Sequence, residues 1–564
     1  MKKFLFIGLF AVTTTVVGQD KGAVSGGFES NAQWYLNDKF LLYKVNPDLP
    51  DSPIISATHP EDPLRSNNYL FVNYKIKNWT FGIQGEAYEQ QALLNYNPKY
   101  KDANVATYFA QFKNDKIDVT AGYFYEQFGS GLLLRTWEDR ALGINNALRG
   151  LRFIYKPTKY FILKTLFGQQ RTGFDVSEGK IYGADAELML SDVFKFEKDE
   201  LSFGLTYVGR DEKPTIVNPN YSSLTNSFAG RLNFVHDSFY ISTEYDYKSK
   251  DAVVKVPTQI DNNLIKPGSA LLLNLGYSKK GFGVDATFRR LENMNFFSER
   301  SAGGNKYNNL IMNYLPSLTK QHHYNLANIY VYQAQPGVLI TDVSLVKAGE
   351  IGGQLDVFYN FKKGTALGGK YGTKVAVNYA EYHGLGGDYY LFSPQDYQTQ
   401  FIGFGKKYFS DANIEITKKW SDRAQSGFSF INQYYDKKYL GGKGIIYTNI
   451  VGAETTYKYS KNKSVRVQAE HMWANKDKKN WASLLTEINF GTKYSLYVSD
   501  MYNYGNEDAK LRTHYYGIGN SYRYKSTRVS LSYGRQRGGL VCVGGVCRNV
   551  PESTGVSLSL NTSF

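Results

Sequence analysis

The sequence predicts an all-β transmembrane protein: an antiparallel, up-and-down β-barrel of about 24 strands, within a range of about 22 to 26. Three observations lead to this prediction. Apolar and polar residues alternate throughout the chain, short polar turns alternate with long loops, and tyrosine and phenylalanine are unusually abundant.

The composition favours a barrel over a soluble protein or a helical membrane protein. The 564 residues include 47 Tyr, 35 Phe and 53 Gly but only 15 Pro. Membrane barrels use aromatic residues for girdles at both membrane–water interfaces. The mean hydropathy is −0.41, and after the N-terminal segment no run of 18 apolar residues occurs. Helical membrane spans are therefore excluded.

The alternation has a period of two residues, which is the period of a strand with two different faces. Phe81 and Ile83 alternate with Thr80 and Gln84, and the same rhythm recurs throughout the chain, for example from Val465 to Glu470. The polar face often carries charges along its whole length. A barrel explains this pattern, because one face contacts lipid and the other faces a polar lumen.

The connections between strands alternate between short and long. Tight turns such as Lys77-Asn78 and Lys461-Asn462-Lys463 are followed by much longer segments. The long loops, expected outside the cell or folded into the lumen, are 37–66, 128–147, 292–351 and 383–410. The connections 191–200 and 362–371 are long for periplasmic turns. The strand count could therefore be wrong by one hairpin at these positions.

The N-terminal segment predicts export. Residues 1–18 match a secretory signal peptide, with Lys2 and Lys3 before the apolar stretch from Phe4 to Val17. The alternative is an N-terminal anchor, but the segment is short and no stop-transfer flank follows. Residues 19–564 are then the barrel, and the expected location is the outer membrane of a Gram-negative cell.

The last strand predicts how the barrel closes. Its alternating residues place Leu558, Leu560 and the terminal Phe564 on one face. Closure pairs this strand with the first one, because an open edge is not tolerated in lipid. A terminal Phe on the lipid side resembles the signal read by the bacterial barrel-assembly machinery. Expected partners are therefore that machinery, outer-membrane lipid and lipopolysaccharide.

The formal net charge is +15. This charge is compatible with nucleic-acid binding, attraction to lipopolysaccharide, an anion-attracting lumen or simple solvation. The lysines are scattered over loops and turns, and no basic helix or aromatic-basic motif occurs. Nucleic acid is therefore not an expected partner.

Two cysteines, Cys542 and Cys547, flank Gly544-Gly545. A Gly-Gly centre suits a two-residue hairpin turn, which places the cysteines opposite each other. Because export leads to an oxidising compartment, we predict a disulfide that staples an external loop. The alternative is two reduced thiols.

No pattern in the sequence predicts catalysis, a cofactor or a metal. None of the seven histidines lies in a nucleophile elbow or a zinc motif. His322 and His323 are the only adjacent pair, and neighbouring side chains on an extended segment point apart. We therefore predict a non-enzymatic protein with no catalytic or metal-binding residues.

The densest polar cluster lies around the segment 126–152. The predicted lumen charge cluster consists of Glu126, Arg135, Glu138, Asp139, Arg140 and Arg152. The loop between its ends is unusually apolar, and its plug candidates are Leu132, Leu133, Leu134 and Trp137. Because such residues are costly in water, the loop is expected to fold into the barrel mouth, where its arginines and carboxylates form charge pairs. A capping loop with ordinary surface ion pairs is the alternative.

The segment 292–351 is a second candidate for filling the lumen. It contains Met294, Phe296, Phe297, Ile311, Met312, Leu315 and Leu318. Some filling is expected, since barrels of about 16 to 18 strands already hold an open channel.

Two stretches carry a resemblance to a known family. They are Tyr125–Leu132 with Glu138–Gly143, and Gly538–Arg548 around the cysteine pair. Together they resemble an uncharacterised outer-membrane β-barrel family of Bacteroidota with a Gly-rich C-terminal cysteine pair. They cover less than a fifth of the chain, and the resemblance implies no activity.

Two functions are compatible with the sequence. The first is a structural or accessory subunit of an outer-membrane complex, with its lumen filled by loops. The second is a porin-like channel for small solutes, including anionic ones. A receptor with an N-terminal plug domain is disfavoured, since alternation already begins near Val24.

Overall fold

The computed structural model describes residues 22–41, 60–213, 222–256, 259–340, 343–392, 394–442 and 444–564. The predicted signal peptide, residues 1–18, and much of the predicted loop 37–66 lie outside the described residues.

Strands account for most of the described chain. In order they are β1 Ala23–Leu36, β2 Leu64–Ile76, β3 Trp79–Gln91, β4 Lys101–Lys113, β5 Ile117–Phe124, β6 Glu138–Asp139, β7 Ile144–Asn145, β8 Leu148–Thr158, β9 Phe161–Thr172, β10 Asp175–Met189, β11 Asp199–Asp211, β12 Leu224–His236, β13 Phe239–Val256, β14 Gln259–Lys279, β15 Phe282–Glu292, β16 Gly349–Phe361, β17 Thr373–Tyr390, β18 Asp396–Lys419, β19 Ala424–Asp436, β20 Ile445–Ser460, β21 Lys463–Ala474, β22 Trp481–Phe490, β23 Tyr494–Tyr502, β24 His514–Tyr524, β25 Thr527–Gln536, β26 Gly539–Val543, β27 Val546–Val550 and β28 Ser553–Ser563.

The helices of the described residues are short. The α-helices are Leu190–Phe194 and Lys437–Leu440, and the 3-10 helices are Gly303–Tyr307, Leu326–Asn328, Val343–Leu345 and Ala509–Leu511. Within the described part of the chain, no helix is both long enough and apolar enough to cross a bilayer.

Twenty-four of the strands form one closed antiparallel sheet, which confirms the predicted fold class and strand number. Each barrel strand pairs with its neighbours in sequence. The last strand, β28, pairs with β1 over Gly27–Leu36 and closes the barrel. The backbone of Phe564 both donates to and accepts from Gly26 at 3.0 Å, so the chain terminus itself completes the seam. The remaining strands form two small hairpins, β6–β7 and β26–β27.

Tight turns at one end of the barrel follow from residues that accept a left-handed backbone. Lys77, Asp237, Asn462 and Lys525 have φ between 49° and 67°, and Gly281 has φ 87°. Two-residue hairpin connections need positive φ, which Asn, Asp and Gly adopt most easily. We call this the turn end. In outer-membrane barrels the short turns face the periplasm.

The outer surface is apolar, as a lipid-facing wall requires. Outward residues such as Trp79, Phe81 and Ile83 on β3 are 44–50% exposed, while Gln84 and Glu86 on the same strand face the lumen and are half-buried or buried. The C-terminal residues predicted to face lipid follow this arrangement. Leu558 and Phe564 are exposed on the outside, and Leu560, on the same face of β28, is half-buried.

One predicted loop assignment changes and one doubtful join is resolved. The segment 383–410, expected to be a long loop, forms the upper part of β17 and β18, and its connection spans only 391–395. Gly384, Gly387 and the neighbouring bulges shift the strand register there, so the alternation that reveals strands is interrupted. The join 191–200 contains the helix Leu190–Phe194 but remains one connection, so the strand count is unaffected.

The lumen is filled at the loop end and open at the turn end. Strand β20 illustrates this gradient. Its lumen-facing side chains Ile446, Thr448 and Ile450 are buried near the loop end, Glu454 is half-buried, and Lys458 near the turn end is exposed. The protein is therefore shaped like a cup that opens toward the turns.

Candidate functional site

The filling of the lumen comes from three segments that enter at the loop end. The first plug loop is residues 125–147, the second plug loop is 293–348, and the cysteine hairpin is Gly539–Val550. Residues 341–342 of the second plug loop are outside the described chain. These segments correspond to the predicted loops 128–147 and 292–351 and to the predicted cysteine staple.

The first plug loop is anchored by its leucines. Leu132, Leu133 and Leu134 are 0–2% exposed and pack with wall residues such as Leu166 and Ile181 in one apolar cluster. Burying a leucine side chain contributes about 1.5–3 kcal/mol. These three residues therefore hold the loop inside the barrel.

The two plug loops are also joined to each other. The Arg135 amide donates to the Met312 carbonyl, and the Tyr314 amide donates to the Gly131 carbonyl, each at 2.8 Å. Trp137 is half-buried, and its ring meets the ring of Tyr314 edge-on at 5.6 Å. The two loops thus form a single plug.

The second plug loop fills the opposite side of the lumen. Tyr324, Leu326 and Tyr332 are 0–2% exposed and pack against wall residues including Tyr382 and Trp481. Of the residues predicted to fill the lumen, Met294, Phe296, Phe297 and Met312 are buried, while Ile311, Leu315 and Leu318 are half-buried.

Part of the predicted lumen charge cluster forms ion pairs on the wall. Arg152 on β8 lies 2.9 Å from the Asp118 carboxylate and 3.5 Å from that of Glu126. Lys164 on β9 reaches the other Glu126 oxygen at 3.1 Å. Glu126 therefore bridges two adjacent strands at the point where the first plug loop begins.

A second part of the cluster joins the first plug loop to β1. Arg140 donates to Glu29 of β1 at 2.7 Å and lies 3.2 Å from Glu138. Its guanidinium also covers the ring of Tyr69 at 4.3 Å. Burial alone would lower the pKa of Arg140, but Glu138 and Glu29 outweigh that effect and raise the pKa above its usual range. Arg140 thus links the plug to β1, the strand that pairs with β28 where the barrel closes.

The remaining two members depart from the predicted charge pairing. Arg135 stacks on Tyr314, with 3.8 Å between the guanidinium carbon and the ring centre. Asp139 accepts from the Leu142 amide at 2.8 Å and caps a turn of the loop. The nearest partner of Arg135 is therefore an aromatic ring, and that of Asp139 is a free backbone amide. Neither is an oppositely charged side chain.

Sequence reasoning missed buried ion pairs of two kinds, those between the plug and the wall and one between two wall strands beside the plug. Arg300 of the second plug loop contacts Asp251 at 2.7 Å and Glu212 at 2.8 Å. Arg289 on the wall contacts Glu350 at 2.6 Å, and both side chains are almost fully buried. Glu350 also accepts from the Gln335 amide at 2.6 Å. The partners are far apart in sequence, so no local pattern could have shown them.

The cysteine hairpin covers the plug from the loop end. Cys542 and Cys547 form the predicted disulfide across the register of β26 and β27. The Tyr314 hydroxyl donates to the Gly544 carbonyl at 2.6 Å, and the Ser317 amide donates to the Gly545 carbonyl at 2.8 Å. The hairpin is therefore bonded directly to the second plug loop.

Arg548 fixes the other side of the hairpin. Its guanidinium lies between the rings of Tyr96 and Tyr307, at 5.3 Å and 5.2 Å from their centres. Burial lowers the pKa of Arg548 to about 10. Aromatic faces attract a desolvated cation, so the hairpin is held by ring contacts as well as by backbone hydrogen bonds.

Next to the first plug loop the lumen keeps a cavity of about 450 Å³. Gln84, Gln111 and Thr120 line it together with the charge-cluster members Glu138, Arg140 and Arg152. Both arginines of the cavity wall are paired with carboxylates. Phe71, Phe109 and Phe124 also line the cavity, so its wall is a mixture of aromatic and polar side chains whose charges are largely balanced.

The adjacent histidines do not form a joint site. His322 is buried and lies 3.0 Å from Asp411, whereas His323 is half-exposed and lies 3.6 Å from Glu454. Within the described residues, no group of three or more His, Cys, Asp or Glu side chains is arranged to hold a metal ion.

The sequence model of a family of unknown function, DUF6029, matches residues 1–564. The chain belongs to this family. No curated protein matches the sequence.

Solved structures with a similar fold are outer-membrane barrels of several kinds. The siderophore receptor PirA from Pseudomonas aeruginosa is 8% identical, with a TM-score of 0.41 over 97% of this chain and 81% of the receptor. The P pilus usher (PapC) translocation pore is 9% identical, with a TM-score of 0.42 over 96% and 99%. A BenF-like porin from Pseudomonas fluorescens Pf-5 is 11% identical, with a TM-score of 0.32 over 86% and 98%. Because identities and TM-scores are this low, no activity of these proteins is carried over to this chain.

Proposed function

We propose that this protein is a non-enzymatic, non-conducting barrel that serves as a structural or accessory subunit of an outer-membrane complex. The observation that carries the proposal is the three-part plug, which is built into the lumen by apolar burial and by ion pairs to the wall. A barrel of 24 strands is wide enough for a large aqueous channel. This chain uses more than eighty residues of loop to fill that space.

The way the plug is attached supports a permanent closure. Opening the lumen would expose the leucines of the first plug loop, separate buried Arg300 from Asp251 and Glu212, and remove the Gln335 amide from buried Glu350. Breaking one buried ion pair costs about 3–5 kcal/mol. Several such costs arise together, so a spontaneously opening channel is disfavoured.

The competing function is a channel for small solutes, including anionic ones. The cavity beside the first plug loop and the open turn end favour it. However, Arg140 and Arg152 in the cavity wall already have carboxylate partners, which disfavours attraction of an anion to that site.

The subunit role is tested by the size of the protein's native assembly. The tagged chain is purified from its own outer membranes in a mild detergent, and the mass of the particle is measured by native mass spectrometry or mass photometry. We expect a particle that contains a second protein in fixed ratio. A barrel recovered alone under several mild detergents would overturn the subunit role.

A further inference from the structure

The positive charge of the chain is concentrated on one arc of the turn end. The connections between β16 and β25, with the first residues of the strands they join, contain fourteen basic residues and one acidic residue, Asp422. We call this set the basic crescent. It consists of Lys362, Lys363, Lys370, Lys374, Lys418, Lys419, Arg423, Lys458, Lys461, Lys463, Lys493, Arg523, Lys525 and Arg528.

The opposite arc of the same end is nearly balanced. The corresponding connections from β2 to β15 contain ten lysines and seven carboxylates. The lysines are Lys75, Lys77, Lys113, Lys116, Lys156, Lys159, Lys195, Lys198, Lys279 and Lys280, and the carboxylates are Asp115, Asp118, Asp192, Glu197, Asp199, Glu200 and Asp237. The formal charge of the whole chain is +15, so most of the excess lies on the crescent.

The charges of the crescent are available to a partner. All of its members are exposed except Lys418 and Lys419, which are half-buried. Within the described segments, the ion pair inside the crescent is that of Lys419 with Asp422, at 3.2 Å. Like charges held this close together on a surface repel one another and attract an anionic partner.

Several crescent residues face the lumen and not the lipid. On β20, β24 and β25 the exposed outward residues are Tyr457, Tyr522 and Val529. Lys458, Arg523 and Arg528 are their sequence neighbours, so they have the opposite, lumen-facing parity. The crescent is therefore the rim of the open cup as well as a band along the membrane surface.

The position of these side chains at the rim favours an acidic protein over anionic phospholipid as the partner. Phospholipid headgroups reach the outward residues of a barrel but not the rim of its lumen. An acidic protein surface that docks on the end face reaches both the turns and the lumen-facing side chains. The turn end of the lumen, where the lumen-facing side chains of β20 become exposed, faces such a surface.

We propose that the basic crescent is a docking site for an acidic protein segment on the periplasmic side, seated over the open mouth of the cup. The inference rests on the proposed accessory role and names the side and the charge of the partner. Charge complementarity of this kind sets the rate and specificity of association.

The test uses the full-length protein in phosphatidylcholine nanodiscs and a fluorescein-labelled poly-L-glutamate peptide, with binding followed by fluorescence anisotropy. The crescent variant carries Lys461→Glu, Lys463→Glu, Lys493→Glu and Lys525→Glu. The matched control carries Lys116→Glu, Lys156→Glu, Lys279→Glu and Lys280→Glu on the opposite arc, so both variants have the same net charge. If a glutamate variant does not fold, glutamine at the same four positions replaces it.

We expect the crescent variant to lose about tenfold or more in affinity for the peptide, with the control close to the wild type. An equal loss in both variants, or no binding by the wild type at physiological salt, would overturn the inference. So would selective retention of phosphatidylglycerol by the wild type but not by the crescent variant in mixed nanodiscs, without peptide binding, because the crescent would then be a lipid site. If the protein binds the peptide but is always recovered alone from membranes, the accessory role is refuted. The proposal that the basic crescent binds acidic segments would still hold.

Discussion

Leu133→Asp is the substitution that tests the plug most sharply. Leu133 is 1% exposed in the apolar cluster of the first plug loop. The substitution places a carboxylate among leucines and aromatic rings, far from water. Since the residue belongs to a loop and to no barrel strand, the plug is affected and the barrel wall is not.

The expected cost follows from the burial of this side chain. Removing most of a buried leucine side chain costs about 2–5 kcal/mol, and placing an unpaired charge there adds several kcal/mol more. The loop leaves the lumen when this sum exceeds the free energy of its docking. Its remaining anchors include Leu132, Leu134, the Arg140 ion pair with Glu29 and the two backbone hydrogen bonds to the second plug loop. We expect the unpaired charge to outweigh them, so that the first plug loop detaches while the sheet persists.

Hydrogen–deuterium exchange on the detergent-solubilised protein measures this directly. We expect residues 125–147 to exchange at least about tenfold faster in Leu133→Asp, while peptides from β16–β25 stay unchanged. Leu367→Asp is the matched control, because Leu367 is 64% exposed and lies in a connection at the turn end. Unchanged exchange in 125–147, or equal effects of both substitutions, would refute the assignment of Leu133 as an anchor.

Three further predictions address the other parts of the plug. Asp251→Asn leaves the buried guanidinium of Arg300 with a weaker partner, so exchange in the second plug loop should rise by an amount equivalent to about 3 kcal/mol; unchanged exchange there would contradict the tethering role. Replacing Cys542 and Cys547 by serine should destabilise the cysteine hairpin by about 2 kcal/mol. Proteolysis of residues 539–550 should then be faster, and a protease pattern like that of the wild type would contradict a stabilising role of the disulfide. The hydrogen bond to Glu454 raises the pKa of His323. The contact between the two side chains therefore stabilises the plug fully at low pH, and this stabilisation is lost as pH rises through the raised pKa. Hydrogen exchange of residues 318–332, corrected for intrinsic rate, should be slower at pH 6 than at pH 8, and the reverse order would contradict this prediction.

The barrel was predictable because lipid imposes a rule on every strand that crosses it. Residues such as Phe81 and Ile83 must face outward and their neighbours inward, and this period of two is visible in the sequence. Closure by β28 follows from the same rule, since an unpaired edge is not tolerated in lipid. Both the number of strands and the seam at Phe564 could be inferred without coordinates.

The extended hairpins were missed because they leave the region where that rule applies. Beyond His383 and before Lys407, the strands β17 and β18 contain bulges and several glycines, and neither face is required to be apolar. The pattern there looks like a loop. A strand outside the membrane is specified by packing with distant partners, such as the contact of Lys266 with the Tyr397 carbonyl at 2.9 Å.

The candidate site could be predicted in its location but not in its pairing. The apolar residues Leu132 to Leu134 indicated that the loop enters the lumen, since water offers them no favourable environment. Which groups pair depended on contacts across more than a hundred residues, such as Arg140 with Glu29. Arg135 stacks on an aromatic ring, a contact that is determined only by the folded geometry.

The central claim is that the protein's own loops close its lumen. Single-channel recording of the purified wild-type protein in planar bilayers tests this most directly. We expect a silent barrel, with conductance appearing in a variant that lacks residues 299–340. Stable, ion-selective openings of the wild type would contradict the account and support the channel function.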